Sequence, residues 1–424
     1  MKILMTDGSS NSARQTLYGL DPAWQIDVCA PSRLAQCRFS SLVNRFLRCP
    51  PIGSDPARYL AFLLRQLRSQ SYDLILPTHE EVYLLSRFRE RFQAEASLAV
   101  PSWEAIRHLL GKIEFAQQMH ALSLPVPEFE IVTSIDQLAS YGRFPFYLKR
   151  NYATAGQGVQ LIRDAADRAA AIAQLDKREA ESSQEIRLLA QRSANGQMCV
   201  GQAVFQHGEL IAAHCAQVLE AGVGGGATFR AGVRHPEVLQ HLRQLGEALQ
   251  WHGAMFLEYF HDPRADRIEY IECNPRIGEP VNALLSGVDL VSALVAVSQN
   301  EQNFSFGSFG ETTPGVRSHV GFIALLGRAM KGATRRELIR AGRDMAGHRG
   351  AYENAENEMT RPAVDRLSRL PAAFVLARLL VRPRAVHQLV NTTVGQYALP
   401  GSAVAAIDRL EESLFEADGS GAEG

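Results

Sequence analysis

The chain has 424 residues, of which 46% are hydrophobic and 21% charged, with a formal net charge of −1. That length exceeds one ordinary core, so a soluble globular enzyme of two or three domains is expected, and the near-neutral balance lacks the basic footprint of a nucleic-acid-binding protein. Cys29, Cys37, Cys49, Cys199, Cys215 and Cys273 are scattered without Cys-x-x-Cys spacing or histidine partners, which argues against zinc and disulfides and for a reducing cytoplasm.

Met1 to Asp7 reads as a first strand rather than a signal peptide, and no uncharged apolar run reaches the roughly 18 residues of a membrane span. Strand and helix then alternate: a strand at 3–5, a helix from Ser12 to Gly19, a strand from Gln25 to Cys29, a helix from Pro56 to Gln70 and a strand from Asp73 to Pro77. Such alternation predicts a parallel, doubly wound sheet. Its carboxyl edge carries the turn Thr6 to Ser12, without Gly-x-Gly-x-x-Gly, and the segment Thr78 to Glu81. Ligands bind at that edge in such sheets; a small carboxylate or amine, or nothing, is compatible with both loops.

A helix is expected from Ser102 to Leu122, with Lys112 in mid-course. A strand at 129–132 follows, then Phe144 to Lys149, a glycine-containing loop from Arg150 to Gly158, and a strand to Ile162. A lysine ending a strand before such a loop can hold phosphate oxygens while the loop's N–H groups close over them. Near residue 270, Glu258 and the segment Arg267 to Arg276 flank a turn at Asp262 and Pro263, which predicts a hairpin. Glu272 and Asn274 are two apart and share a face, and strand pairing can bring Glu258 alongside. Two carboxylates and an amide oxygen suit Mg²⁺, which substrate phosphates commonly complete.

In this order the parts resemble the ATP-grasp superfamily of carboxylate-amine ligases, in its carbamoyl-phosphate synthase large-chain and biotin carboxylase style, over about residues 1 to 300. The resemblance implies a mixed α/β and α+β fold with a doubly wound N-terminal domain at 1–104, a lid at 105–195, a metal-binding catalytic unit at 196–305 and a mainly helical region at 306–424. It implies ATP with Mg²⁺, or Mn²⁺ in its place. Lys112, Lys149, Thr154, Gly156, Gly158 and Gln191 would contact the nucleotide, Glu258, Glu272 and Asn274 the metal, and Arg276, with Lys149, the transferred phosphoryl group. Gln191 stands where the family often has an acidic residue, and Met198 falls near a common ribose-binding glutamate. The implied reaction activates a small carboxylic acid as an acyl phosphate and joins it to an amine. No glutamine-hydrolysing domain, biotinyl-lysine motif or duplicated half favours a carboxylating or carbamoyl-forming relative. The alternative is a catalytically silent nucleotide-binding module recruited to a membrane or partner through the basic C-terminal region.

Three further expectations concern the remaining residues. The glycine-rich segment from Leu219 to Val233 reads as a loop over the acceptor site, with Arg230 and Arg234 available to a carboxylate, while Glu279 and Asn282 face substrate or form a turn. His252 reads as a packed or exposed histidine rather than a base. Residues 317–384 hold 14 Lys/Arg against 6 Asp/Glu; the apolar stretch from Pro371 to Arg384 fits either a helix docked on the body, the favoured reading, or peripheral contact with an anionic membrane. A homodimer is the default symmetric assembly.

Overall fold

The computed structural model describes residues 1–153, 156, 158–179, 186–222, 225–382 and 395–411. Near the N-terminus, short runs of β-branched and aliphatic residues form strands β1 (Lys2–Met5), β2 (Gln25–Ala30), β3 (Arg45–Arg48) and β4 (Leu74–Leu76) of one parallel sheet, in the order β3-β2-β1-β4. Ile3 lies opposite Ile26 on one side and Leu74 on the other. These central strands are buried, as parallel strands covered by helices must be. The helix Pro56–Ser69 lays Tyr59, Leu60, Leu63 and Leu67 inward, capped by the Asp55 carboxylate, which accepts the Arg58 N–H. Strand β3 was not anticipated: it is an edge strand, Arg-Phe-Leu-Arg, whose ends are exposed.

The helix expected from Ser102 to Leu122 is two helices, Trp103–Arg107 and Lys112–Ala121. Gly111 breaks the run by taking an extended backbone (φ −82°, ψ 141°), so Lys112 opens the second helix. A second, antiparallel sheet follows, made of β5 (Phe129–Val132), β6 (Phe146–Arg150), β7 (Val159–Ile162) and β8 (Leu188–Arg192), in the order β5-β8-β6-β7.

The third sheet has seven strands: β9 (Gln197–Gln206), β10 (Glu209–Ala221), β11 (Ala227–Val233), β12 (Gly253–Asp262), β13 (Arg267–Asn274), β14 (Arg317–His319) and β15 (Ala355–Asn357). Their order is β13-β12-β9-β10-β11-β14-β15. One correction follows. The segment from Leu219 to Val233 is largely paired strand, because β10 and β11 form an antiparallel ladder with Val218 opposite Arg230; residues 223–224 lie outside the described residues. The region beyond residue 305 carries the helices Gly321–Met330, Arg335–Ala346, Arg369–Val381 and Gly401–Asp408 and also adds β14 and β15 to this sheet.

The sheet's covered face packs Phe205, Trp251, Met255, Tyr259 and Tyr270 against the helix Pro236–Leu249. His252 is buried and stacks on His207 with ring centroids 4.3 Å apart, so it is a packed histidine. All six cysteines are free and buried. Among the described residues no helix is long and apolar enough to cross a membrane.

Candidate active site

The hairpin β12–β13 sets Glu258 directly opposite Glu272 and Phe256 opposite Asn274. Alternation then places Glu258, Glu272 and Asn274 on one face, while Leu257, Tyr259 and Cys273 point into the core. A bulge just after the Glu258–Glu272 pair aligns Tyr259 with Tyr270. Burial, and then the charge of Glu272, raise the Glu258 pKa to about 7. Such a pair calls for a cation between its oxygens. With the Asn274 amide oxygen, these donors fit a hard divalent ion that retains room for water or phosphate ligands.

Two lysines converge on the same face. Lys112 Nζ donates to Glu272 Oε1 at 3.0 Å and to the Ala153 carbonyl at 2.7 Å. Lys149, near the end of β6, donates to Gln191 Oε1 at 2.7 Å across the strand pair. Its pKa falls to about 8, chiefly through burial; Glu272 and Glu258 oppose the shift and Lys112 adds to it.

Asn151, which sequence reasoning did not single out, ties these parts together. Its carbonyl accepts the Lys112 N–H at 3.1 Å, its Oδ1 accepts the Ile113 N–H at 2.9 Å, and its amide donates to Glu114 at 2.8 Å. The helix start bearing Lys112 is thereby fixed to the strand end bearing Lys149. Gly156 and Gly158 both have positive φ, 71° and 73°, and the Gly158 carbonyl accepts the Arg150 N–H at 2.8 Å to close the loop. Thr154 lies outside the described residues. Met198 begins β9, partly buried.

Arg276 joins this face to the N-terminal sheet. Its guanidinium donates to Asn274 Oδ1 at 3.0 Å and to Ser12 Oγ at 3.3 Å, while its Nε has no partner among the described residues. Across from it, the carboxyl edge of the parallel sheet presents Asp7, which accepts the N–H groups of Ser9 and Ser10 at 2.8 and 3.1 Å. Desolvation raises its pKa. Glu81 accepts from Thr6 Oγ1 and the Thr78 N–H, both at 2.9 Å, and burial together with Asp7 lifts it to about 7. His79 is held well below its usual range by burial and by Arg276. The chain's distal residues complete this edge: Tyr397 lies 4.1 Å from His79, ring to ring, and Gln396 accepts from Ser9 Oγ at 2.8 Å. Nothing local in the sequence marks Gln396 or Tyr397, which stand more than 300 residues from their partners.

The other candidate substrate residues are engaged with protein. Arg230 is buried and paired with Glu279 and, at 3.0 Å, with Glu358. Asn282 Oδ1 accepts from His214 Nε2 at 2.8 Å, and its amide nitrogen donates to Ser318 Oγ at 2.7 Å. Arg234 Nε donates to the Thr312 carbonyl at 2.8 Å. The structure therefore gathers Lys112, Lys149, Gln191, Glu258, Glu272, Asn274 and Arg276 on one face and sets Arg230 and Asn282 in a neighbouring buried network.

No protein-family model matches the chain, and no curated protein does. Solved structures do. The biotin carboxylase domain of the 2-oxoglutarate carboxylase of Hydrogenobacter thermophilus, solved with MgADP, ADP and bicarbonate, aligns over 72% of this chain and 71% of its own, with TM-score 0.58 and 15% identity. The N5-carboxyaminoimidazole synthetase of Staphylococcus aureus, complexed with ADP, aligns over 72% and 79%, with TM-score 0.57 and 14% identity. The chain has the ATP-grasp fold. An L-amino acid ligase from Bacillus licheniformis shares it over 76% of this chain and 79% of its own, with TM-score 0.56 and 12% identity. At such identities the ATP-grasp likeness is one of architecture, and chemistry must be argued from the residues.

Proposed function

We propose that this protein is an ATP- and Mg²⁺-dependent ligase that activates a small carboxylic acid as an acyl phosphate and joins it to an amine, releasing ADP and phosphate. The observation that carries the reading is the Glu258–Glu272 pair with Lys112 on Glu272, Lys149 beside it, and Arg276 reaching from Asn274 to Ser12. Two of the solved structures sharing the fold hold MgADP or ADP. Glu258, Glu272 and Asn274 would hold the metal, whose contribution is to neutralise phosphate charge.

In the first step a substrate carboxylate oxygen attacks the γ-phosphorus and the bond to ADP breaks. In the second the amine nitrogen attacks the acyl carbon and inorganic phosphate leaves. Phosphoryl transfer asks the protein for alignment and charge compensation more than covalent help. Lys112 and Lys149 supply positive charge at the phosphates, Gln191 orients Lys149, and Arg276 neutralises the acyl phosphate between the two substrate ends. The acyl phosphate hydrolyses when wet, so the loop bearing Gly156 and Gly158 has a second task in excluding water. A reducing cytoplasm, in which six free thiols persist, belongs to the same reading.

The test is phosphate release from Mg·ATP with pools of amino acids and other small carboxylic acids, with hydroxylamine present to trap acyl phosphate as hydroxamate. Release and hydroxamate that depend on one acid pool and vanish in Glu272→Gln establish the activity. ATP binding without either product in any pool refutes it.

A further inference from the structure

The helix Arg369–Val381 has only two polar side chains, Arg369 and Arg378, and carries apolar residues on its inner and outer sides. One side is covered by protein. Leu379 is fully buried, and Ala372, Val375, Leu376 and Leu380 join it against Phe322, Leu325, Leu326 and Leu338; Arg335 Nε also donates to the Leu380 carbonyl at 2.7 Å. The other side faces outward. Leu367, Leu370, Phe374 and Val381 are 42%, 47%, 52% and 70% exposed, and on a helix their spacing aligns them with Ala373 and Ala377 in one stripe. Among the described residues, five of the eight exposed large hydrophobic side chains fall between Val364 and Val381.

The charges within the stretch 366–382 of the chain have one sign. Residues 366–382 hold Arg366, Arg369, Arg378 and Arg382 and no Asp or Glu, and all four arginines are exposed. The neighbouring Asp365 is buried and spent on Arg14, at 2.6 Å, and on Ser41. The only neutral hydrogen-bonding side chain in the stretch, Ser368, is buried.

From this pattern we infer that the face of Arg369–Val381 docks the protein onto anionic lipid bilayers, with Leu367, Leu370, Phe374 and Val381 in the acyl boundary and the arginines at headgroup phosphates. Charge selects this occupant. A second copy meeting the face across a two-fold axis would set arginines on arginines. A bilayer needs only an apolar stripe and a positive rim. The helix spans about 20 Å, too little to cross the membrane, so contact is peripheral. The inference does not depend on the ligase reading.

Co-sedimentation of the full chain with vesicles tests it. The protein should pellet with phosphatidylcholine mixed with phosphatidylglycerol, not with phosphatidylcholine alone, and release as salt is raised. Phe374→Glu should weaken binding on the order of tenfold or more, and Arg378→Gln with Arg382→Gln by a similar factor. Leu219→Glu, an exposed leucine elsewhere, should bind as the native chain does. Unchanged melting temperatures establish that the variants fold. No pelleting on mixed vesicles, or equal pelleting of Phe374→Glu, overturns the inference. So does a dimer in sedimentation velocity that Phe374→Glu splits while vesicle binding is absent, which would give the face to a second copy.

Discussion

The proposed phosphate end and the proposed acceptor end of the site meet at Arg276 and are built in opposite ways. At the phosphate end, Glu258, Glu272, Asn274 and Arg276 come from one hairpin, and strand alternation alone sets three of them on a common face. At the acceptor end, Asp7 and His79 come from two loops of the parallel sheet, while Gln396 and Tyr397 come from the far end of the chain. Neighbouring Arg230 is held by Glu358, itself bonded to Gln15 and Ser318. The first end is local geometry repeated in every hairpin of that register. The second is tertiary, and its polar groups mostly bind one another. Under the proposed reading, chemistry common to many acids has a local scaffold, and the part that would choose a substrate depends on contacts between distant segments.

The largest expected effect lies at the phosphate end. Glu272→Gln removes one carboxylate of the facing pair and the counter-charge of Lys112, so ADP formation should fall by about 10² to 10³ or more. Asp7→Asn alters the sheet edge without touching that pair, and should raise the KM for the amine while leaving ATP affinity within a few-fold. Steady-state kinetics and ATP titration of both variants check this. Equal losses of ATP affinity would erase the distinction between the two ends.

Stability should separate the ends next. Arg230 and Glu358 are both buried, and breaking such a pair by removing one member costs about 3–5 kcal/mol, because the other charge stays behind unpaired. Arg230→Met should lower the melting temperature by several degrees, and adding Glu358→Gln should restore part of the loss. A carboxylate-binding arginine would give the reverse result: a normal melting curve and a raised KM for the acid.

The same contrast explains which features could be read from sequence. The hairpin, the strand ending at Lys149 and the glycine loop follow from patterns within some twenty residues, where alternation and turn chemistry apply. Lys112 was legible as a candidate but not in its setting, since only the extended backbone of Gly111 makes it the first residue of a helix; a glycine in mid-helix was the available signal. Asn151 carried no signal, because its role is to join two elements through three hydrogen bonds. The segment from Leu219 to Val233 looked like a loop by its glycines, yet pairing with β10 and β14 prevails over that local preference. Ser9 and Gln396 are 387 residues apart, and no local periodicity reports such a contact.

Within the phosphate end the two lysines differ, and pH should expose the difference. Lys112 has the Glu272 carboxylate at 3.0 Å, whereas Lys149 is buried with the neutral Gln191 amide as its hydrogen-bond partner. With its pKa lowered to about 8, Lys149 is an ammonium below that value and loses its charge as pH rises through it. Phosphate binding favours the charged form, so this lysine should make ATP affinity fall by about tenfold per pH unit above pH 8. Isothermal titration across this range gives the profile, and Lys149→Met should bind weakly with no break near 8. A break that persists in the variant would assign the titration to another group.

The smallest effect concerns the glycine loop that ends at Gly158. Gly158 has φ of +73°, and a Cβ there would stand 2.9 Å from Arg150 Cδ, so Gly158→Ala meets both backbone strain and a side chain that must move. The cost is about 1 kcal/mol, since the arginine end is flexible and the left-handed conformation accounts for most of it. If the loop closes over ATP, that cost appears mainly in the closed state and raises the KM for ATP by a few-fold, with a larger share of turnovers losing acyl phosphate to water. The ratio of phosphate released to amide formed reads that leak directly. A Gly158→Ala enzyme with native KM and native coupling would show that the loop does not tighten during the reaction, and that water is excluded from the acceptor side instead.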